Sequence, residues 1–232
     1  MKQFFITGGT GYIGKRLIGR LIKNGHHVTT IVRKGSEDKV PAGAEIVIGN
    51  PFDANTFQSL IPKGATFIQL LGVSHPSPKK AKLFREIDLK SVKASADAAA
   101  RAGVSDFIYV SVAMTLTKLM QAYQEVRAEG EAYCLNKKIP CTFIRPWYVL
   151  GPGHWWPVML LPLYGLAELV PEWRMKFRSM ALVTINQMLN ALLFAAEAEP
   201  LPKRVIEIKD IRRITSKKNI KQETLSQKPS YL

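Results

Sequence analysis

One stretch near the amino terminus limits the fold more than any other: Phe4-Phe5-Ile6-Thr7-Gly8-Gly9-Thr10-Gly11-Tyr12-Ile13-Gly14. An apolar run ends in a glycine cluster. The cluster opens into Lys15-Arg16-Leu17-Ile18-Gly19-Arg20-Leu21-Ile22, an amphipathic helical pattern. Strand, glycine turn and helix in that order predict a βα unit. In such a unit Gly8 permits the tight turn leaving the strand, Gly11 leaves room for a pyrophosphate to approach the backbone, and Gly14 lets the helix pack closely. The amides from Thr7 to Ile13, those of Thr10 and Tyr12 included, then face the diphosphate at the positive end of the helix dipole. The competing reading is a glycine-rich turn with no ligand. Against it, glycines in one turn carry an entropic cost that packing alone does not require.

The remaining chain repeats the alternation. Apolar, β-branched segments at His27–Val32, Ala44–Gly49, Ala65–Gly72, Asp106–Ser111, Cys141–Arg145 and Arg204–Ile208 read as strands. Helical patterns fall at Gly11–Asn24, Ala54–Leu60, Lys82–Ala102, Leu119–Asn136 and Val183–Ala196, with Gly25 and Gly103 as stops. Strands alternating with helices at this spacing predict a doubly wound parallel α/β sheet, a Rossmann fold, with a small C-terminal substrate-binding lobe. A length of 232 residues suits one such domain over 1–213, with 147–200 forming the lobe and a basic flexible tail over 214–232.

Arg33 and Lys34 follow the second strand, at the position that reads the adenosine ribose. A carboxylate there accepts hydrogen bonds from the ribose of NAD, whereas an Arg pairs with the 2′-phosphate of NADP. NADP is therefore expected over NAD; the alternative is that both are solvated loop charges. The formal net charge of +15 agrees with a phosphorylated ligand and equally with an acidic membrane surface or a basic solvated face.

The string TGGTGYIG resembles the nucleotide-binding turn of the extended and atypical short-chain dehydrogenase/reductases, in their epimerase/dehydratase-like or NmrA-like branches. The resemblance runs from about Lys2 to Arg213 and implies further roles. Asn50 stands where the family places an acid near the adenine, and Asp53 keeps the family's second acid, although Asp53 equally reads as a helix cap. Leu71 and Gly72 are implied to pass beside the cofactor, and Pro146 and Tyr148 to shape the nicotinamide pocket. The family's catalytic set is Ser (or Thr), Tyr and Lys, with Tyr and Lys four residues apart on one helix face. Here Ser111 and Tyr123 match, and the fourth residue after Tyr123 is Arg127. Glu131 and Arg145-Pro146 fall at the family's positions and fix that alignment. The resemblance implies Tyr123 as acid/base, Ser111 as carbonyl anchor and Arg127 as ribose holder. Arg keeps the charge, yet it cannot relay a proton at neutral pH. Tyr123 as a packing aromatic and Ser111 as a hydroxyl bonded to local backbone remain the alternatives.

The implied function is an NAD(P)-binding oxidoreductase acting on a small carbonyl, alcohol or sugar-nucleotide substrate, with a catalytically inactive NADP(H)-binding sensor or structural subunit as the second reading. Other classes fall away on composition. Cys134 and Cys141 are too few for a disulfide framework and fit a reducing, cytoplasmic compartment; the chain opens directly into a strand. His26, His27, His75 and His154 show no metal-ligand spacing, so no metal is expected. No aromatic interleaving of the basic tail supports specific nucleic-acid recognition. The apolar segment Trp155–Ala167, near Arg174, Lys176 and Arg178, is too short and proline-broken to span a bilayer. It is expected to line a pocket or a homo-oligomer contact, with peripheral membrane contact through 155–178 as the alternative.

Overall fold

In the computed structural model, which describes residues 1–115, 120–153 and 180–214, seven parallel strands form one sheet. They are β1 (Gln3–Thr7), β2 (His27–Val32), β3 (Glu45–Ile48), β4 (Thr66–Gln69), β5 (Asp106–Val110), β6 (Cys141–Arg145) and β9 (Lys203–Glu207), in the order β3-β2-β1-β4-β5-β6-β9. A parallel sheet is covered on both faces, so its strands must be apolar on both. Phe4, Phe5, Ile6, Phe67, Ile68, Phe107, Ile108, Phe143 and Ile144 are all essentially fully buried.

The period-2 alternation sorts these side chains. Phe4, Ile6, Ile68, Ile108 and Ile144 face a core closed by α1 (Tyr12–Lys23) and α5 (Ile185–Glu197), through Leu17, Leu21, Met188 and Leu192. Phe5, Phe67, Phe107, Tyr109 and Phe143 face the other layer, with α3 (Lys90–Ala102) and α4 (Gln121–Asn136). Phe67 stacks on Phe107 at 5.2 Å and on Phe5 at 5.4 Å. Bulky rings on the sheet need small residues opposite, and α3 supplies Ala96, Ala98 and Ala99, all fully buried in the same layer.

The strand order reverses between β1 and β4, whose last residues pair as Thr7↔Gln69. A crevice opens outside the carboxyl ends of the strands at such a point. Thr7 Oγ1 donates a hydrogen bond to Gln69 Oε1 across it, and both residues are fully buried.

Three elements differ from the sequence expectation. Residues 54–60 form two 3₁₀ turns, Ala54–Thr56 and Gln58–Leu60, and no α-helix. Phe57 between them is fully buried and stacks on Phe5 at 6.0 Å; that anchor, in a segment too short to nucleate a helix, overrides local propensity. The long helix before Gly103 comprises α2 (Ala81–Leu83), a π-helical turn Phe84–Leu89, and α3. Gly103 closes it in the left-handed region at φ +68°. Near 183, a short strand β8 (Leu182–Thr184) precedes α5 and pairs in parallel with β7 (Tyr148–Leu150). Thr184 then begins α5 as half of a reciprocal capping box with Gln187.

After β9, a final helix α6 (Ile208–Arg213) packs Ile208 and Ile211 into the α1/α5 core. Among the described residues no helix is long and apolar enough to cross a membrane, and no group of three His, Cys, Asp or Glu could hold a metal ion. His154, the apolar stretch 155–178, the charged tail beyond 214 and the expected helix start at Leu119 lie outside the described residues.

Candidate functional site

The glycine turn is built so that side chains do not fit. Gly8 sits at φ +74°, and a Cβ there would lie 2.8 Å from the Leu71 amide nitrogen. A Cβ on Gly14 would lie 2.2 Å from the Gly8 carbonyl oxygen. Gly14 thus packs the helix onto the turn's own backbone. Gly11 is the N-cap of α1; its N–H donates to the Gly8 carbonyl at 2.9 Å, and a Cβ there would meet only that same oxygen, at 3.1 Å. The space beyond Gly11 is open. No side chain caps α1 and no acid lies in its first turn, so its leading N–H groups are left for a ligand. Gly9, which the sequence reading passed over, is as constrained as its neighbours: its Cβ would fall 2.2 Å from Thr30 Oγ1.

A cleft of about 290 Å³ leads from this turn. Gly8, Gly11, Tyr12, Ile13 and Gly14 line one end, and Gly72, Ser111, Tyr123, Arg127 and Pro146 line the rest, together with Trp147 and Tyr148. Eleven of the expected site residues, Tyr148 among them, therefore share one space. Leu71 meets the turn through its backbone. Thr10, Arg33, Lys34, Asn50 and Asp53 are not among the residues lining the cleft. Arg33 and Lys34 are exposed at the end of β2. Asn50 Oδ1 accepts from the Phe52 amide at 3.1 Å, and Asp53 Oδ1 from the Asn55 amide at 3.0 Å, so both carboxamide and carboxylate shape their own turn. A larger hollow of about 650 Å³ lies at the amino ends of the strands, by Lys2, His27 and Thr66, away from the glycine turn.

Ser111 is 3% exposed and its Oγ has no hydrogen-bond partner among the described residues. A buried hydroxyl left unpaired is costly, and it opens on the cleft. The local backbone bond considered from sequence is absent.

Tyr123 is half-buried on α4 and its ring packs against Phe84 at 4.8 Å. Arg127, one turn later and 6% exposed, uses all its terminal N–H groups inside the protein. Nη2 donates to Tyr123 Oη at 2.8 Å and to Asp88 Oδ1; Nη1 donates to the Val110 carbonyl at 2.9 Å and to Tyr109 Oη at 3.2 Å. Only Nε–H is left without a partner among the described residues, which narrows the ribose-holding role expected of this residue. Burial pulls the guanidinium down, but the phenols of Tyr109 and Tyr123 and the Asp88 carboxylate outweigh it and keep Arg127 charged. Burial pushes the Tyr123 phenol above the usual tyrosine range, with Arg127 opposing.

Asp88 was invisible as a site residue from sequence. It is fully buried in the π-helical turn, and its signal is a polar stripe, Asp88, Ser91 and Ser95, along an otherwise apolar helix face.

These residues fit a dinucleotide: a turn that excludes side chains, uncapped helix amides, and an unpaired hydroxyl at the far end. The comparisons agree. The family model described as NAD(P)H-binding matches residues 8–150. A ceramide reductase of Caulobacter vibrioides (strain NA1000 / CB15N) is 23% identical over 210 residues, covering 90% of this chain and 64% of that protein, so the chain spans a little under two thirds of that relative's length. Among solved structures, MoeE5 in complex with UDP-glucose and NAD superposes with a TM-score of 0.65 at 18% identity, covering 89% of this chain and 75% of that one. A UDP-galactose 4-epimerase gives 0.66 at 16% identity, with 89% and 76% covered. A UDP-glucuronic acid 4-epimerase from Bacillus cereus in complex with NAD gives 0.64 at 17%, again with 89% and 76%. At such identities the structural likeness speaks to the fold, and the family match carries the assignment: this chain belongs to the NAD(P)H-binding family and has the Rossmann fold of the epimerase-like short-chain dehydrogenase/reductases.

Proposed function

We propose that the protein is an NADP(H)-dependent oxidoreductase that reduces a carbonyl substrate. The observation that carries this reading is the unpaired, buried Ser111 Oγ on the same cleft as Tyr123 and the glycine turn. When bound, the dinucleotide supplies hydride to the carbonyl carbon. The amides of the turn and of α1 hold its diphosphate, and Arg33 and Lys34 take the 2′-phosphate. Both side chains are exposed at the end of β2, and an Arg at that position favours NADP over NAD. Ser111 donates to the substrate oxygen, and Tyr123 gives that oxygen a proton. The substrate is a small carbonyl or alcohol or a sugar nucleotide; the relative named a ceramide reductase adds a ceramide-like substrate to the candidates.

NADPH and NADH titrations by fluorescence, followed by turnover over a carbonyl panel that includes lipid ketones, test the reading. Binding of NADPH tighter than NADH, with turnover abolished in Tyr123→Phe, is expected. Failure of folded protein to bind either dinucleotide overturns it.

A second reading is favoured by the engagement of Arg127: a protein that binds NADP(H) and catalyses nothing, acting as a sensor or structural subunit. It expects the same binding and no turnover on any substrate of the panel. In either reading we place the protein in the cytoplasm, without a specific nucleic-acid partner. The 155–178 segment would serve a pocket, a homo-oligomer contact or a peripheral membrane contact. Co-flotation with anionic liposomes at low salt singles out the membrane.

A further inference from the structure

The Asp88 carboxylate joins three parts of the site. Oδ1 accepts from Arg127 Nη2, and Oδ2 accepts from the Val73 amide at 3.1 Å, in the loop leaving β4. Its own backbone carbonyl accepts from Ser91 Oγ at 3.0 Å, and Ser91 Oγ accepts from Gln69 Nε2 at 3.1 Å. Gln69 Oε1 in turn takes Thr7 Oγ1 and Ser95 Oγ. A fully buried polar chain thus connects the residue before the glycine turn to Arg127. The π-helical turn is what brings Asp88 there; such turns insert one residue and re-aim a side chain. Gly72 completes the fit, because a Cβ there would lie 2.5 Å from Arg127 Nη2 and 2.7 Å from Asp88 Oδ1.

A buried cation without a counter-ion beside a phenol favours the phenolate. Here the nitrogen that touches Tyr123 Oη also carries the carboxylate. We propose that Asp88 is a positioning residue which neutralises and holds Arg127 and keeps Tyr123 protonated near neutral pH, the form that donates a proton in carbonyl reduction. This rests on the oxidoreductase reading above. In the step, the Tyr123 O–H bond breaks and an O–H bond forms at the substrate oxygen as its carbon accepts hydride from the reduced nicotinamide. The phenolate left behind is held by Arg127 and regains its proton from solvent. The titratable groups around Tyr123 are Arg127 on its own helix, Asp88 in the π-helical turn, Tyr109 on β5, and His75 and Tyr148, which line the same cleft. The raised Tyr123 phenol agrees with this arrangement.

The test needs no cofactor. Tyrosinate absorbance is titrated in wild type, Tyr123→Phe, Asp88→Asn and the double variant. The transition missing from Tyr123→Phe should lie above the ordinary tyrosine range in wild type. It should move down by at least about one pH unit, a tenfold easier ionisation, in Asp88→Asn. An unchanged midpoint in Asp88→Asn overturns the proposal. If that variant does not fold, the wild-type comparison with Tyr123→Phe decides alone: Tyr123 ionising below the ordinary range overturns it. A dinucleotide titration of the same samples separates the two readings. Loss of binding throughout, with the tyrosine shift intact, would fail the oxidoreductase assignment while leaving the Asp88–Arg127 coupling standing.

Discussion

Gly9 and Thr30 are packed so closely that a Cβ on Gly9 would lie 2.2 Å from Thr30 Oγ1. That hydroxyl cannot step aside freely, because it donates to the Ile6 carbonyl at 2.9 Å in a fully buried position. Gly9→Ala should therefore cost about 1–3 kcal/mol of stability, the usual range for overpacking. Thr30→Ala in the same background should return part of it. Urea unfolding measures both. Equal stability of Gly9→Ala and wild type would show that β2 and the turn separate more easily than the packing implies.

Ser111 behaves differently. Its Oγ makes no hydrogen bond among the described residues, so its removal breaks none of those. Ser111→Ala should leave thermal stability nearly unchanged, within about 0.5 kcal/mol, or raise it slightly. Turnover should fall on the order of 10²-fold, as for loss of one donor to a developing oxyanion. A variant that loses stability and activity together would mark the hydroxyl as structural.

These two residues also mark what could be read in advance. Ser111 was singled out by the family resemblance and not by its local sequence, whereas the glycines at 8, 11 and 14 were legible because local sequence dictates a turn that requires positive φ or close approach. Strand existence was legible for the same reason, since β1, β2 and β6 need only local apolar runs. Asp88 was not, because its meaning depends on Arg127, 39 positions away, and on a π-helical turn that no periodicity announces. Phe57 broke an expected helix for a tertiary reason, its stacking on Phe5. Gly9 escaped because its constraint comes from β2 and not from its own turn.

The proposed cofactor preference is open to a direct check at Arg33. A charge-assisted hydrogen bond to the 2′-phosphate contributes about 1.5–3 kcal/mol, so Arg33→Ala should weaken NADPH binding roughly tenfold to hundredfold and leave NADH nearly unaffected. Lys34→Ala should do the same more weakly, since a lysine offers a point charge without the planar fork. Equal losses for NADPH and NADH would remove the 2′-phosphate from the role of Arg33.

Away from the cleft, Asp106 sets a pH dependence on folding. It is 2% exposed at the start of β5, with Oδ1 unpaired among the described residues and Oδ2 reached by Thr142 Oγ1 at 3.5 Å. Burial raises its carboxyl from 3.8 to about 6, against the opposing pull of Arg204, the Phe107 amide and Lys2. The folded state therefore holds this proton more tightly than the unfolded chain. Its contribution to stability is fully present below pH 3.8, is lost as pH rises toward about 6, and is constant above that. A shift of that size corresponds to about 3 kcal/mol. Asp106→Asn removes the titrating group, so the difference in unfolding free energy between variant and wild type should grow in favour of the variant across that window and then level off. Denaturant unfolding at closely spaced pH values reads this difference directly. A difference that stays flat from pH 4 to pH 7 would mean that Arg204 fully compensates the buried carboxylate.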